Sequence, residues 1–535
     1  MKGFLFVSFL LAAFQLPPAE GRRVLVISTN VGFSHLGFTG RLADVLVEAG
    51  HEVDFVIPLW NHQVKRNGTR LARVRRHLLA NTDDIEREMF KMAAWGDAFE
   101  QEMTATDWAG FDRLQAMYCE SLLTDYALIR DLREANYEVA MAESFDRCAF
   151  ALFRHLRIPS THVMSAIPLD EWTAFANGVP VDLMNTPIMF NNRQFTPLSS
   201  TWERLRNVYE YLRWRFHYMP ESMRVVDSAI RKIFGADFPN SLELLGSVDY
   251  VWLNTNEHVT PARLTTARIK HIGGIAVDKE ETLSEETKSL FANVTESVVL
   301  VSFGSIVDTR HMKPPVRDAL LTAFSHFPGH RFVWKVTKID NTLREALRDH
   351  PNVVAVEWMD QSGILAHPNT RMFLSHGGLN SLNEAAVHGQ PMVVVPFFGD
   401  QHMNSAAAVG RGIAVAVDRR RLSTERLVAA LRRVLHDPAI RAAAADVRRK
   451  IRSAPVDSAV LFAKTVEFAA QNAGLRELHL PTTSAWDNAA VWSATVGGLL
   501  LFSVVALWTI RTAFALVSLV RSSSLFAAEK AKKVE

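Results

Sequence analysis

The stretch from Phe373 to Gln401 carries the residues with the clearest chemical potential in this sequence. Its letters, FLSHGGLNSLNEAAVHGQPMVVVPFFGDQ, predict a short strand, a turn at His376–Gly378 and a helix that ends at Gly389. A Gly-Gly turn lets a ligand approach the backbone, and a helix N-terminus offers free N–H donors and a positive dipole end. The pattern therefore indicates a phosphate site, to which the His376 side chain adds a hydrogen bond.

Three further polar side chains follow this turn at spacings that suit a hydroxyl-rich ligand. Glu384 lies one turn into the helix, where a carboxylate can hold vicinal ribose hydroxyls. The next strand ends at Pro396, and its loop brings Asp400 and Gln401 to the same edge of a parallel sheet. An acid and an amide at that place suit the hydroxyls of a sugar.

A second candidate group is His35, which follows the strand predicted at Val24–Ser28. It lies near the start of a helix predicted from about His35 to Ala49, where the dipole favours a neutral imidazole that accepts a proton. A lone loop histidine is more often structural. As a general base, however, it would contribute a factor of ~10²–10⁴ to a proton transfer.

These groups require parallel strands to position them, and the first half of the chain predicts one such sheet. A β-α-β unit covers Val24–Ile57, and Glu138–Ala142 and Thr161–Ser165 are expected to add strands. The segments Trp60–Leu132 and Pro168–Phe238 are mostly helical in pattern and rich in large apolar residues. They are expected to form helix-packing core, to line a pocket for an apolar ligand, or to rest on a membrane surface.

A second alternation of strands and helices begins at Ser297 and predicts a second sheet. The fold class is therefore α/β, with two doubly wound Rossmann-like domains facing each other across a cleft. The helix expected at Thr424–Leu435 belongs to the second domain. The predicted strands of that domain are Val298–Ser302, Arg331–Val336, Val353–Val356, Met372–Ser375, Met392–Pro396 and Ile413–Val417.

Length and composition bound the class of protein. The 535 residues are enough for two or three domains, and a net charge of +2 does not mark a nucleic-acid binder. Two cysteines, Cys119 and Cys148, exclude a disulfide-rich scaffold and a four-cysteine zinc site. They either pair in an oxidising compartment or remain as buried thiols.

The two ends of the chain predict targeting to a membrane. Residues 1–21 have the charged start, apolar stretch and small-residue site of a secretory signal. The uncharged run Ala489–Ile510 is long enough to cross a bilayer, and the basic tail 511–535 is expected on the cytoplasmic side. Sequons at Asn67 and Asn293 fit a luminal body. The terminal Lys532-Lys533-Val534-Glu535 resembles the dilysine signal of endoplasmic reticulum membrane proteins.

Taken as an ordered set, these motifs resemble the UDP-glycosyltransferase family, and in particular the UDP-glucuronosyltransferases of the endoplasmic reticulum. The resemblance covers nearly the whole chain and includes Ser302–Ser305, Ile272–Ile275 and the tail. It implies a GT-B fold in which residues 22–255 bind an acceptor, 256–296 link, and 297–475 bind a UDP-sugar.

The resemblance also implies a role for each residue of the donor site. Trp358 would stack on uracil with Gln361 nearby, and Glu384 would hold ribose. Asp400 and Gln401 would hold the transferred sugar. The diphosphate would be held by a polar set around the Gly-Gly turn, namely Ser305, His376, Gly378, Asn380 and Ser381.

Two departures from the family pattern affect the uracil end of the site. The family usually has Trp-x-Pro-Gln, whereas this chain has Trp358-Met359-Asp360-Gln361. The next pair, usually Asn-Asp, is Ser362-Gly363. The location of the uracil pocket should be kept, but its fine geometry should differ.

By the same resemblance, His35 is the catalytic base and an acid after a later strand orients it. In the family that acid is an aspartate, and the register here places Glu143 at its position, with Asp146 three residues on. Either could stabilise the imidazolium, and Glu143 is the first choice. The sequence has no Asp-x-Asp triplet, so we expect no metal and no cofactor beyond the UDP-sugar co-substrate.

The expected reaction is inverting transfer of glucuronic acid from UDP-glucuronate to a small lipophilic acceptor. UDP-glucose is the alternative donor, because the sequence does not identify a group for the glucuronate carboxylate. A non-catalytic luminal binding protein, or a modulatory subunit in a homo- or hetero-oligomer, is the alternative of another class. The substitution at Glu143 keeps that alternative open.

Overall fold

The computed structural model describes residues 21–92, 94–95, 97–191, 194–277, 283, 285–291, 297–480, 497–498 and 500–518. The predicted signal segment up to residue 20, the sequon at Asn293 and residues 489–496 of the predicted span lie outside these ranges. The tail from residue 519, with its lysine pair, does so too.

The first half of the chain folds around a seven-stranded parallel sheet. Its central strands are apolar and buried on both faces, as a sheet with helices on each side requires. The strand order is β3-β2-β1-β4-β5-β6-β7. The strands are β1 Arg23–Ile27, β2 Glu52–Pro58, β3 Arg73–His77, β4 Val139–Glu143, β5 Ser160–Ser165, β6 Tyr250–Leu253 and β7 Ile269–His271.

Helices cover both faces of this sheet. The longest, α3, starts with a capping box in which Thr104 and Asp107 exchange side-chain and backbone hydrogen bonds. A π-helical turn, Trp214–Tyr218, joins two of the helices without a break. The helices are α1 Phe33–Glu48, α2 Thr82–Met89, α3 Ala105–Leu123, α4 Tyr126–Glu134, α5 Arg147–Leu156, α6 Glu171–Ala176, α7 Thr201–Arg213, α8 Met219–Phe234 and α9 Ser241–Gly246.

The second half contains a six-stranded parallel sheet in the order β10-β9-β8-β11-β12-β13. Its strands are β8 Ser297–Ser302, β9 His330–Lys335, β10 Val353–Val356, β11 Thr370–Ser375, β12 Met392–Val394 and β13 Ala414–Ala416. The helices are α10 Glu285–Ser289, α11 Pro314–Ser325, α12 Asn341–Ala346, α13 Gln361–Ala366, α14 Leu379–His388, α15 Gln401–Gly410, α16 Thr424–His436, α17 Pro438–Arg452 and α18 Ser458–Gln471.

The α/β class with two parallel sheets is confirmed, and the predicted strands agree with the observed ones to within about two residues. Two strands were missed. β3 has the sequence Arg-Val-Arg-Arg-His and lies at the sheet edge, so it has no apolar signal and falls inside the segment predicted as helical. β7 has three residues and lies in the stretch predicted as a linker.

The last helix of the body, α18, returns to the first sheet. Its residues Phe462 and Val466 are buried in the core formed by α1, β1 and β2. The Phe462 ring meets Trp252 of β6 edge to face at 4.8 Å between centroids. The carboxyl end of the body therefore completes the core of the amino-terminal half.

Cys119 and Cys148 form a disulfide, which resolves the question that the sequence left open. The bond joins α3 to α5 with a Cα–Cα distance of 5.1 Å, and both residues are fully buried. It ties the two helices together directly behind the loop that follows β4.

A helix beyond the body, Leu500–Ser518, is long and apolar enough to cross a membrane. Its mean hydropathy is 2.0, and none of it is buried within the structure. It belongs to a second compact unit that begins at Leu480. The helix extends beyond Ile510, where the predicted span ended, and includes Arg511.

Replacing both cysteines with alanine should lower the free energy of unfolding. The bond closes a loop across 29 residues of sequence, which in the unfolded chain corresponds to a loss of about 3–4 kcal/mol. Urea unfolding of the full chain in detergent, with and without reductant, measures this. Wild type should shift to the midpoint of the double variant on reduction, and a midpoint insensitive to reductant would contradict the pairing.

Candidate active site

The carboxyl ends of both sheets open onto one cleft of about 2320 Å³. Loops that follow β1, β5, β6 and β7 form one wall, and loops that follow β8 to β12 form the other. Most of the residues singled out in the sequence line it: His35, Ser305, Trp358, Gln361, His376, Gly378, Asn380, Ser381, Glu384, Asp400 and Gln401.

His35 lies in the first turn of α1, and its Nδ1 is 3.2 Å from Oε1 of Glu143. Glu143 ends β4 and is 1% exposed, while its other oxygen accepts a 3.4 Å hydrogen bond from the backbone N–H of Ala166. Since the carboxylate takes Nδ1, Nε2 is the ring nitrogen left to exchange a proton with a ligand. The Phe145 ring meets the imidazole edge to face at 5.3 Å.

The carboxylates around His35 change its acidity in the direction opposite to that expected from the helix dipole. Burial lowers the pKa of His35, but the charge and hydrogen bond of Glu143, with a contribution from Asp400, raise the pKa above its usual value overall. The neutral imidazole predicted from the helix start therefore requires a higher pH, because a paired carboxylate outweighs the partial charge of one helix end.

Asp146 is held away from His35 by other partners. Its Oδ1 accepts a hydrogen bond of 2.9 Å from the N–H of Ala149 and caps α5, while Oδ2 accepts one of 3.0 Å from the hydroxyl of Tyr118. Burial raises the pKa of Asp146 to about 7. The structure thus brings Glu143, and not Asp146, into contact with His35.

The Gly-Gly turn forms a close-fitting seat for His376. A Cβ on Gly378 would lie 2.4 Å from Nε2 of His376, and one on Gly304 would lie 2.6 Å from it, so only glycine fits at either position. Gly378 is also the N-cap of α14, whose first N–H groups face the cleft. Burial lowers the pKa of His376 to about 3, so its imidazole is neutral at physiological pH.

Gln361, Ser381 and Glu384 form one network on the same wall. The Gln361 amide donates to Oγ of Ser381 at 3.2 Å and to the Glu384 carboxylate. Burial raises the pKa of Glu384 to about 7, so this acid is partly protonated near neutrality. A ligand that donates hydroxyls to Glu384 would replace lost water contacts and favour the ionised form.

Trp358 lies beside this network with 44% of its surface exposed. The two departures from the family pattern compensate each other below it. Asp360 caps α13 by accepting a 2.9 Å hydrogen bond from the Gly363 N–H, and a Cβ at Gly363 would overlap the Asp360 carboxylate. An aspartate at position 360 therefore requires the glycine at 363, and together they retain the turn that presents Trp358.

Asp400 and Gln401 sit at the start of α15. Asp400 accepts a 2.6 Å hydrogen bond from the Asn404 amide, and burial raises its pKa to about 6. The Gln401 amide oxygen accepts from the N–H groups of Phe397 and Phe398 at 2.8 and 3.2 Å. Gln401 thus fixes its own loop, and Asp400 faces the same cleft as His35.

Asn380 links the two walls of the cleft. Its amide donates a 2.9 Å hydrogen bond to the carbonyl of Ser34, next to His35, and its oxygen accepts one of 2.6 Å from Asn254. Asn254 follows β6 in the first sheet. The side chain predicted to hold phosphate is therefore engaged between the two halves of the molecule. Ser305 lies exposed in the loop after β8.

The sequence matches the family described as UDP-glucoronosyl and UDP-glucosyl transferase over residues 22–523. The chain belongs to this family. As a member it is a UDP-glycosyltransferase of the UDP-glucuronosyltransferase type, which confirms the resemblance noted in the sequence.

Individual relatives agree with this assignment. The transferase is 26% identical over 491 residues to human UDP-glucuronosyltransferase 3A2, and the match covers 89% of each chain. It is 25% identical over 479 residues to UDP-glucuronosyltransferase 3A1 of Bos taurus, with 88% of this chain and 89% of the bovine protein covered.

Solved structures of low sequence identity share the fold. The glycotransferase of kitacinnamycin has a TM-score of 0.58 and 19% identity, covering 84% of the transferase and 99% of its own chain. UGT2 of Phytolacca americana, complexed with UDP-2fluoro-glucose and pterostilbene, has a TM-score of 0.56 and 18% identity, covering 83% and 99%. The fold is thus of the GT-B type, as expected.

Two cations in the cleft of the transferase were not identified from the sequence. Lys335 ends β9, donates a 2.6 Å hydrogen bond to the carbonyl of Gly304 and lies 5.5 Å from the Trp358 ring. Burial, with the nearby Arg66, lowers the pKa of Lys335 to about 8. Arg66 reaches over from the loop between β2 and β3 and lies 3.6 Å from the centre of the Trp358 ring.

Only one of these cations had a signal in the sequence. Lys335 occupies the carboxyl end of a predicted parallel strand, which is where ligands bind. Arg66 lies in a segment predicted as helical, and no local pattern connects it to Trp358. Within the described residues, no three His, Cys, Asp or Glu side chains cluster as metal ligands would.

Replacing Lys335 with methionine should weaken binding of UDP. The ammonium lies between Trp358 and the Gly304 turn, and a charge-assisted hydrogen bond to a diphosphate contributes ~1.5–3 kcal/mol, or roughly 10–100-fold in Kd. Calorimetric titration with UDP measures this, with the exposed Lys338→Met as the matched control. Equal affinity in the two variants would remove Lys335 from the donor site.

Replacing Glu143 with glutamine should change the pH profile of transfer. Because Glu143 raises the pKa of His35, the acid limb of kcat/KM in wild type should lie above the usual histidine value. Without the carboxylate, burial dominates, so the limb should move to lower pH. The maximal kcat should fall by roughly 10²-fold, since the imidazolium loses its partner. A lower rate with an unmoved limb would show that Glu143 acts only on the local structure.

Proposed function

We propose that this protein transfers glucuronic acid from UDP-glucuronate to small lipophilic acceptors with inversion, giving a β-glucuronide and UDP. The observation that carries the proposal is the His35–Glu143 pair, which opens onto the same cleft as the glycine turn, Glu384 and Asp400. A base and a donor cradle on facing walls suit a direct displacement.

The chemistry follows from the groups on the two walls. Nε2 of His35 takes the proton of the acceptor hydroxyl as its oxygen forms a bond to the anomeric carbon. The bond from that carbon to the diphosphate oxygen breaks, and UDP leaves with the electron pair. Glu143 stabilises the imidazolium, and the α14 N-terminus, His376 and Lys335 stabilise the charge that develops on the diphosphate. With one base and attack opposite the leaving group, the product is inverted.

The surroundings of His35 support an apolar acceptor. The Phe145 ring beside the imidazole contacts Phe111 at 6.0 Å, and Phe111 stacks parallel to Trp95 at 6.5 Å. The Trp95 indole N–H donates to the carbonyl of Val31, just before α1, at 3.1 Å. An aromatic wall next to the base offers favourable contact to a flat or greasy acceptor.

The choice of glucuronate rests on the relatives, which carry that donor in their names. UDP-glucose remains the second candidate, because the family description includes UDP-glucosyl transferases and a structural relative was solved with a UDP-glucose analogue.

We also propose an endoplasmic reticulum membrane location with a luminal body. The apolar helix Leu500–Ser518 supports an anchor, and the Cys119–Cys148 disulfide supports a body that folds in an oxidising compartment.

A donor comparison on microsomes that contain the full chain tests the proposed reaction. Radiolabelled UDP-glucuronate and UDP-glucose are supplied with a panel of phenols and steroids. We expect transfer from UDP-glucuronate, and His35→Ala should reduce it by roughly 10²–10⁴-fold with UDP affinity unchanged. The exposed His326→Ala is the matched control and should retain full turnover.

Other results would separate the alternatives. Transfer from UDP-glucose alone would keep the enzyme class and change the donor. Wild-type turnover in His35→Ala would remove His35 as the base. Absence of transfer from either donor, with UDP still bound, would favour a binding or modulatory role.

A further inference from the structure

Helix α7 presents an apolar stripe to its surroundings. Trp202, Leu205, Tyr209 and Leu212 are between 45% and 75% exposed. At about 100° per residue they fall within an arc of about 80° on the helix surface. Phe216, in the π-helical turn that continues α7, is 72% exposed. We call these five residues the α7 stripe.

The opposite side of α7 is fixed to the body by a polar side chain. Asn207 is fully buried, and its oxygen accepts from the N–H of Ile188 at 3.0 Å and from the Asn191 amide at 3.2 Å. Its amide donates to the carbonyls of Leu183 at 3.0 Å and Thr186 at 2.9 Å. These four bonds hold the helix in one rotation, with the α7 stripe facing outward.

This arrangement is the inverse of a helix on an ordinary soluble surface, which turns its apolar side inward. Asn207 lies about 180° from the centre of the stripe, so rotating the helix to bury the stripe would leave a fully buried amide without partners. The outward apolar face is therefore built into the fold of this domain.

Neighbouring side chains widen the face and give it positive charge. Met184 is half exposed and touches the helix where the Arg204 side chain donates to its carbonyl at 3.0 Å. The Arg215 guanidinium lies 4.5 Å from the ring of Phe175 and 5.5 Å from that of Phe216. Between Thr201 and Tyr218 there are four arginines against two glutamates.

One of those glutamates is Glu203, which accepts the hydrogen bonds of the α7 capping box. The other, Glu210, pairs with Arg213 at 2.9 Å. Both acids are engaged within the helix, so the surface around the α7 stripe has an excess of positive charge.

We propose that the α7 stripe is a membrane-docking surface that rests in the interface of a lipid bilayer. Indole, phenol and apolar side chains would lie at the boundary of headgroups and acyl chains, and the arginines would meet lipid phosphates. The proposal does not depend on the reaction that the cleft performs.

The chain itself favours a bilayer over a second protein copy as the occupant. The helix Leu500–Ser518 is apolar enough to anchor the chain, and only twenty residues separate its start from Leu480 at the end of the body. At ~3.5 Å per residue this connection spans at most about 70 Å. An anchored body is thus held near the membrane at a high effective concentration, so weak interfacial contacts add to the anchor.

Site-directed spin labelling tests the surface, because both native cysteines are in a disulfide and an introduced cysteine is the only free thiol in the chain. Leu205→Cys, Tyr209→Cys and Leu212→Cys are labelled in the full chain in nanodiscs of phosphatidylcholine and phosphatidylserine. Phe468→Cys on α18, where the phenylalanine is 49% exposed, is the matched control. UDP binding verifies that each variant is folded.

Collision accessibility to oxygen and to a water-soluble nickel chelate gives the readout. We expect the three stripe labels to become more accessible to oxygen and less accessible to nickel than the Phe468→Cys label. Removing phosphatidylserine should reduce the shift. If all four labels show the same aqueous accessibility, the α7 stripe does not dock on lipid. Dipolar broadening between stripe labels would instead assign the face to a second copy of the chain and overturn the proposal.

Discussion

The hydrogen bonds from Asn254 to Asn380 and from Asn380 to the carbonyl of Ser34 set the geometry of this molecule. The base belongs to a loop of one sheet and the donor cradle to loops of the other, and displacement requires the reacting atoms within about 3–3.5 Å of each other. Asn380 lies in the first turn of the cradle helix and bonds to the residue beside His35. One side chain therefore couples the position of the base to that of the phosphate seat.

Burial controls the charges of the groups that this link brings together. It raises the pKa of Glu384 to about 7 and that of Asp400 to about 6, and lowers the pKa of His376 to about 3. Each group retains one protein partner, namely Gln361 for Glu384 and Asn404 for Asp400. Dipoles and donors fixed in a dry site need little reorganisation when charge develops on a ligand.

The parts of the structure that local sequence determines could be predicted, and those that depend on distant contacts could not. Buried parallel strands are apolar runs, and a glycine turn before a helix has its own signature, so both sheets and the His376 turn were found. The edge strand β3 is mostly cationic and carries no such signal. Arg66 and the linking role of Asn380 follow only from the way two halves of the chain meet. The acidity of His35 depends on a glutamate 108 residues away.

The path of α18 bears on how this protein can be divided. Phe462 and Val466 fill the core of the amino-terminal half, although they come more than 150 residues after the second sheet begins. A chimera that exchanges amino-terminal halves between relatives at a single junction would separate that core from its last helix and leave an unfilled space beside Trp252. The unit of exchange is therefore discontinuous in sequence: the amino-terminal half travels with α18, and a productive graft has two junctions.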